Sequence, residues 1–204
     1  MASNKYKISD YLIKERETMR GLNLDRLVEV FNILDDCLKN ERNVYVFGNG
    51  GSGSTASHMT NDFNNATFIN TDKTFNFRCL NDNIPTVLAL ANDIGYDDVF
   101  LYQLVGHLNE NDVVIAISGS GNSENIINAV MYAKECNALV IGFTGYDGGR
   151  LKKLADYSVD TSIDNMEITE DIHLIIEHLL ISLFYDNYGK DKHKRLALIK
   201  ERKD

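Results

Sequence analysis

The sequence predicts an α/β fold in which a five-stranded parallel sheet carries helices on both faces. Five short apolar runs are bounded by polar turns: "NVYVFG" (43–48), "FNFRCL" (75–80), "DVVIAISG" (112–119), "ALVIGFTG" (138–145) and "YSVDTS" (157–162). Several are apolar throughout rather than alternating, as strands buried on both faces are. Helix-compatible stretches separate them, at Ser52 to Phe63, Asp97 to Leu108, Asn122 to Cys136 and Gly149 to Ala155, and strand–helix alternation is the signature of a parallel sheet. A further helix is expected from Thr169 to Tyr185, where Ile172, Leu174, Ile175, Ile176, Leu179, Leu180 and Leu183 recur.

The chain opens on a polar stretch, Ile8 to about Asn40, with recurring Leu12, Met19, Leu22, Leu27, Val30, Phe31, Leu34 and Leu38, which reads as one or two amphipathic helices. Residues 1–40 are therefore assigned to a helical segment that packs on the core or on a neighbouring subunit. Residues 41–187 form one α/β domain, and 188–204 a charged tail, "YGKDKHKRLALIKERKD", that reads as a solvated end. Pro85 is the single proline, and no linker or repeat divides the chain.

At 204 residues and 44% hydrophobic content the chain buries a sizeable core. A net charge of −9 argues against a nucleic-acid partner, which needs a basic face. Cys37, Cys79 and Cys136 are an odd number without CxxC spacing, so neither a disulfide framework nor a cysteine-rich zinc site is expected. No apolar run approaches the roughly 18 residues of a membrane span, and "MASNKYKISDYLIKERE" lacks the apolar centre of a signal peptide. The expectation is a cytoplasmic protein with no membrane partner.

Two loops carry the chemistry. The first, "GNGGSGS", places four glycines in six residues between a strand and a helix, so the backbone can take positive φ and approach a ligand closely. It lacks the lysine of a nucleotide-binding P-loop. Alone, a tight turn explains it nearly as well as a ligand site does. The second, "AISGSGNSENI", sets Ser118, Ser120 and Ser123 around two glycines ahead of a helix; hydroxyls and helix N-terminal amides together suit a phosphate dianion. Ser123 also suits a plain N-cap, and the two roles coexist. In an open parallel sheet, ligands bind outside the carboxyl ends of strands, where two such loops can face one crevice.

Histidines and carboxylates follow. His58 and Asp62 are four apart, hence on one helical face, where a metal ion, a substrate or an ordinary surface contact would account for them. Glu170, Asp171, His173, Glu177 and His178 punctuate the last helix. Glu170 and His178 are eight apart and close to one face, while His173 and Glu177 read as an ordinary exposed pair. Periodicity does not choose among them.

The segments "FGNGGSGSTASH", "ALANDIGYDDVF", "AISGSGNS" and "TGYDGG" through "EDIHLIIEHLL" resemble, in order, the sugar isomerase (SIS) fold and within it the phosphoheptose isomerases. The resemblance, from about Val44 to Tyr185, implies a flavodoxin-like sandwich assembled as a homotetramer with active sites between subunits. It implies an aldose–ketose isomerase that interconverts sedoheptulose 7-phosphate and a heptose 7-phosphate, in heptose biosynthesis for surface polysaccharide. It puts Asn49, Gly50, Gly51, Ser52, Asn92 and Asp93 on substrate-binding segments and Ser118, Gly119, Ser120 and Ser123 on the phosphate loop. His58, Asp62, Glu170 and His178 fall on metal-binding positions, with zinc the implied ion, Asp62 and His178 catalytic, and Glu170 also facing substrate. Asp62 is one methylene shorter than the family's glutamate, Glu170 stands where a neutral amide is usual, Gly119 replaces a threonine, and "DFNNATF" lacks a common arginine. An isomerase of another phosphorylated sugar is the nearer alternative. A non-catalytic SIS module, such as one that binds a replication initiator, is the other, although the presence of both histidines favours the enzyme.

Overall fold

The computed structural model describes residues 3–65 and 71–189. Five strands, β1 (Asn43–Gly48), β2 (Asn76–Cys79), β3 (Val113–Ser118), β4 (Leu139–Thr144) and β5 (Tyr157–Asp160), form one sheet in the order β2-β1-β3-β4-β5. Every neighbouring pair is parallel, with Val44 opposite Val113 and Val113 opposite Leu139. This is the flavodoxin-like order, whose switch point lies between β1 and β3.

Strand alternation divides the core into two layers. Val44, Val46, Ile115, Ile117, Ile141 and Phe143 face α2 (Leu24–Asn40), α3 (Gly50–Asn64) and α8 (Met166–Tyr188). Tyr45, Phe47, Val114, Ala116 and Val140 face the opposite way, toward α5 (Leu101–Leu104), α6 (Glu124–Glu135) and α7 (Gly149–Leu154). All six residues of β3 are buried, which is why its sequence is a continuous apolar run. Each large apolar side chain so buried contributes about 1.5–3 kcal/mol before the entropic cost.

The N-terminal stretch is two helices. In α2, Leu27, Val30, Leu34, Cys37 and Leu38 are buried, and the Asn23 side chain accepts from Arg26 N–H at the N-cap. α1 (Asn4–Arg20) has no buried residue, and its Tyr11 hydroxyl donates to Asp171 of α8. The sheet-flanking helices differ from expectation in two places. The stretch from Asp97 to Leu108 is broken into a short 3₁₀ turn, Tyr96–Asp98, and the single turn α5. A helix the sequence reading left out, α4 (Ile84–Asp93), starts at an Asn83 cap with Pro85 in its first turn and buries none of its residues. The last helix is longer than expected at both ends. Of the proposed tail, residues 190–204 lie outside the described residues.

The three cysteines are free thiols. Burial pushes Cys37 and Cys79 up to about 12, which makes both poor nucleophiles. Among the described residues no helix is long and apolar enough to cross a membrane.

Candidate active site

The first loop runs from β1 straight into α3. A Cβ on Gly48 would lie 2.7 Å from the Ser52 carbonyl carbon, so only glycine lets the helix start this close to the strand. Gly50 takes φ +53. Asn49 occupies the N-cap of α3 without capping it. Its amide instead exchanges two hydrogen bonds of 2.9 Å with Asn125 of α6, and the Tyr96 hydroxyl donates to the same Asn49 oxygen at 2.9 Å. The first loop is thereby pinned to the base of the second.

In the second loop Gly121 N–H donates to the Ser118 carbonyl and hydroxyl, and Asn122 N–H to the Ser120 hydroxyl. Ser123 holds the N-cap position of α6, yet its hydroxyl makes no capping bond. The turn "TGYDGG" after β4 braces this loop: Gly145 N–H donates to the Gly119 carbonyl at 2.8 Å, and Leu151 N–H to the Gly121 carbonyl at 2.9 Å.

The two loops enclose a crevice of about 220 Å³ at the β1/β3 switch point. Asn49, Gly50, Gly51, Ser52, Ser118, Gly119, Ser120, Ser123 and Glu170 all line it, together with Ile117 and Met166. Asn92 and Asp93 do not; they end α4 as exposed residues, with the Asn92 amide donating to the Asp93 carboxylate. A larger cavity of about 720 Å³ lies at the other end of the strands, where Arg42 pairs with Asp36 and Lys134 with Asp156.

Glu170 lies directly over Gly51: a Cβ there would meet its carboxylate at 2.2–2.5 Å. Burial, then the charges of Glu167 and Asp171, push the Glu170 carboxyl up, while the Ser52 N–H at the start of α3 works against them.

Farther along α3 and α8 the structure gathers His58, Asp62, Glu177 and His178, whose ligand atoms all lie within 4.8 Å of one another. From Gly51 to His58 is seven residues, about 10 Å of helix. The two imidazole Nε2 atoms are 2.9 Å apart with rings edge to face. Asp62 Oδ2 lies 3.5 Å from His58 Nε2 and 3.9 Å from that of His178; Glu177 Oε2 lies 3.7 and 3.4 Å from the same atoms. Glu177 is 0% exposed and neither carboxylate oxygen has a hydrogen-bond partner. Burial, then the charge of Asp62, push it up to about 8.

One sequence reading needs correction here. His173 and Glu177 are not an exposed pair: both are buried, and His173 turns its Nε2 to the Thr144 carbonyl at 3.2 Å. Glu170, read as a further metal ligand, is not among the four clustered groups; its carboxylate lies against Gly51 in the crevice. Glu177, missed as a site residue, had left a signal: positions 173, 180, 181 and 184 put it on the buried stripe of α8, and an unpaired glutamate is almost never fully buried.

Burial holds His173 down at about 4, against the smaller opposing pull of the Thr144 carbonyl and the Asp160 charge. The unfolded chain takes a proton near pH 6.5 and the folded one does not, so this stability is complete above pH 6.5 and lost as pH falls toward 4. About 3 kcal/mol is at stake. Denaturant unfolding at pH 7 and pH 4.5 is expected to show that loss in the native chain, and a smaller one in His173→Phe.

The fold is a flavodoxin-like α/β sandwich with two anion-suited loops at its switch point, and residues 10–145 match the family model "SIS domain", which makes it an SIS domain. The probable phosphoheptose isomerase of Thermoplasma acidophilum is 30% identical over 178 residues, 87% of this chain and 97% of that protein. The solved phosphoheptose isomerase of Francisella tularensis is 28% identical with a TM-score of 0.78, over 90% of this chain and 98% of its own. That of Neisseria gonorrhoeae is 23% identical with a TM-score of 0.82, over 90% and 100%, and bears on the fold alone. The chain belongs to the phosphoheptose isomerase family of SIS domain proteins.

Proposed function

We propose that this chain is an aldose–ketose isomerase that interconverts sedoheptulose 7-phosphate and D-glycero-D-manno-heptose 7-phosphate, in cytoplasmic heptose biosynthesis for surface polysaccharide. The observation that carries the reading is a phosphate-suited crevice lined in part by the starts of α3 and α8, with a histidine–carboxylate cluster farther along the same two helices, about 10 Å beyond Gly51 on α3. A sugar phosphate anchored at one end thus presents its carbonyl end to the other.

The Ser120 and Ser123 hydroxyls and the first amides of α6 receive the phosphate. Asn49 and Glu170 face the chain of hydroxyls that follows. Remote binding of this kind fixes the reacting carbons against the catalytic groups. Asp62 takes the C1 proton of the ketose while His178, through the ring nitrogen that does not hold the metal, protonates the C2 oxygen, which yields the enediol. His178 then takes the O1 hydroxyl proton and Asp62 returns its proton to C2, leaving the aldose.

Two imidazole nitrogens, the Asp62 carboxylate and the unpartnered buried carboxylate of Glu177 fit a divalent cation of borderline softness such as zinc. His58, Asp62 and His178 would hold it. When bound, it supplies Lewis-acid polarisation of the substrate oxygens. Homotetrameric assembly belongs to the same proposal. It is supported by Tyr6, Ile8, Leu12 and Ile13 of α1 and by Ile84 and Leu88 of α4, all exposed on helices with no buried residue.

Purified protein given sedoheptulose 7-phosphate and shorter ketose phosphates, with and without chelator, tests the reading. Aldose is expected from the heptulose, lost with chelator and restored by zinc. Conversion of a shorter sugar instead would reassign the substrate, and no conversion of any with metal supplied would leave a binding module.

A further inference from the structure

We infer that Glu177 is a direct ligand of the divalent cation, completing a two-histidine, two-carboxylate set with His58, Asp62 and His178 and leaving Glu170 to the substrate. The inference deepens the reading above, resting on it for the metal's role in the reaction.

The position argues for it first. Glu177 sits on the core side of α8 with Ile176, Leu180 and Ile181 buried beside it. An apolar residue would serve packing there, and a carboxylate stripped of water without a hydrogen-bond partner is strongly unfavourable. Neither oxygen has a hydrogen bond, and the nearest nitrogens, Nε2 of His178 and His58 at 3.4 and 3.7 Å, are too far to donate one. Asp62 stands close by and opposes ionisation of Glu177 unless a cation lies between them.

The spacing argues for it independently. Donors about 2.0–2.2 Å from one tetrahedral ion lie about 3.3–3.6 Å from one another. The five nitrogen–nitrogen and nitrogen–oxygen separations in the cluster run from 2.9 to 3.9 Å. They come from two helices, with His58 and His178 120 residues apart in sequence. Glu170, by contrast, lies over Gly51 in the crevice.

The test is zinc binding by the full chain, measured by competition with a chromophoric chelator for the native protein, Glu177→Gln and Glu170→Gln. Circular dichroism reports whether each variant folds. Glu177→Gln is expected to lower zinc affinity at least about 100-fold, beyond what loss of a group outside the ligand set usually costs; Glu170→Gln should change it less than about threefold. The inference is overturned if the native chain takes no zinc, if Glu177→Gln binds it normally, or if Glu170→Gln is the variant that loses it. Should Glu177→Gln fail to fold, a crystal structure of the zinc-loaded native chain decides. A Glu177 oxygen at about 2.0–2.2 Å from the ion supports the assignment, and Glu170 in that place refutes it. Turnover is scored separately: zinc held by Glu177 without isomerisation sinks only the proposed reaction, and isomerisation with Glu177 unligated sinks only this inference.

Discussion

Asp62→Asn, assayed with sedoheptulose 7-phosphate at saturating zinc, is expected to lower kcat by about 10²–10⁴-fold while unfolding as the native protein does. The substitution keeps the shape of the side chain and removes its basicity. Asp62 is partly buried at the end of α3, 3.5 Å from His58 and 3.9 Å from His178, and its other oxygen accepts from the Asn61 amide at 3.0 Å. Asparagine keeps one oxygen there, so the fold has little to lose. Asp62→Glu keeps the charge and extends the reach by one methylene; it should retain far more activity than the asparagine variant. Native kcat in Asp62→Asn would remove Asp62 from the proton transfers.

The second large effect is on the loop that follows β3. Gly121 takes φ +64, and a Cβ there would lie 2.1 Å from the Gly148 carbonyl oxygen and 2.7 Å from its carbon. Both obstacles are backbone and cannot swing aside. Gly121→Ala must therefore part the loop from the "TGYDGG" turn and break the Leu151 N–H to Gly121 carbonyl bond. The expected cost is at least about 3 kcal/mol in denaturant unfolding, with KM for the sugar phosphate raised more than kcat is lowered. Gly106→Ala is the control, since Gly106 takes φ +75 with nothing within 4 Å. It should cost only the strain of the left-handed backbone, about 1–2 kcal/mol. Equal costs at the two positions would show that the loop–turn contact is not what Gly121 protects.

The strands were legible because the sheet is covered on both faces: where all six residues of β3 are buried, the sequence has no choice but an apolar run. α4 was not, because its Leu90 and Ala91 pack only partly against the core while Ile84 and Leu88 stay exposed, and its Asn83 cap and Pro85 read equally well as a turn. The glycines and serines of the two loops pointed to a crevice that both line, because close backbone approach restricts residue type locally. The cluster is different in kind. His58 and His178 meet only because α3 lies against α8, and Glu177 matters only because that packing buries it. Four-residue spacing linked Glu177 to His173 as a surface pair, whereas the fold turns His173 toward β4 and Glu177 toward α3. Resemblance pointed to Glu170, eight residues before His178; the structure gives that carboxylate to the crevice.

The central claim, proton transfer between C1 and C2 of a ketose phosphate, is tested most directly by proton NMR of sedoheptulose 7-phosphate in D₂O with the zinc-supplied protein. An enediol route predicts aldose 7-phosphate signals together with solvent deuterium at the exchanged carbon. A spectrum that shows neither aldose nor deuterium would contradict it.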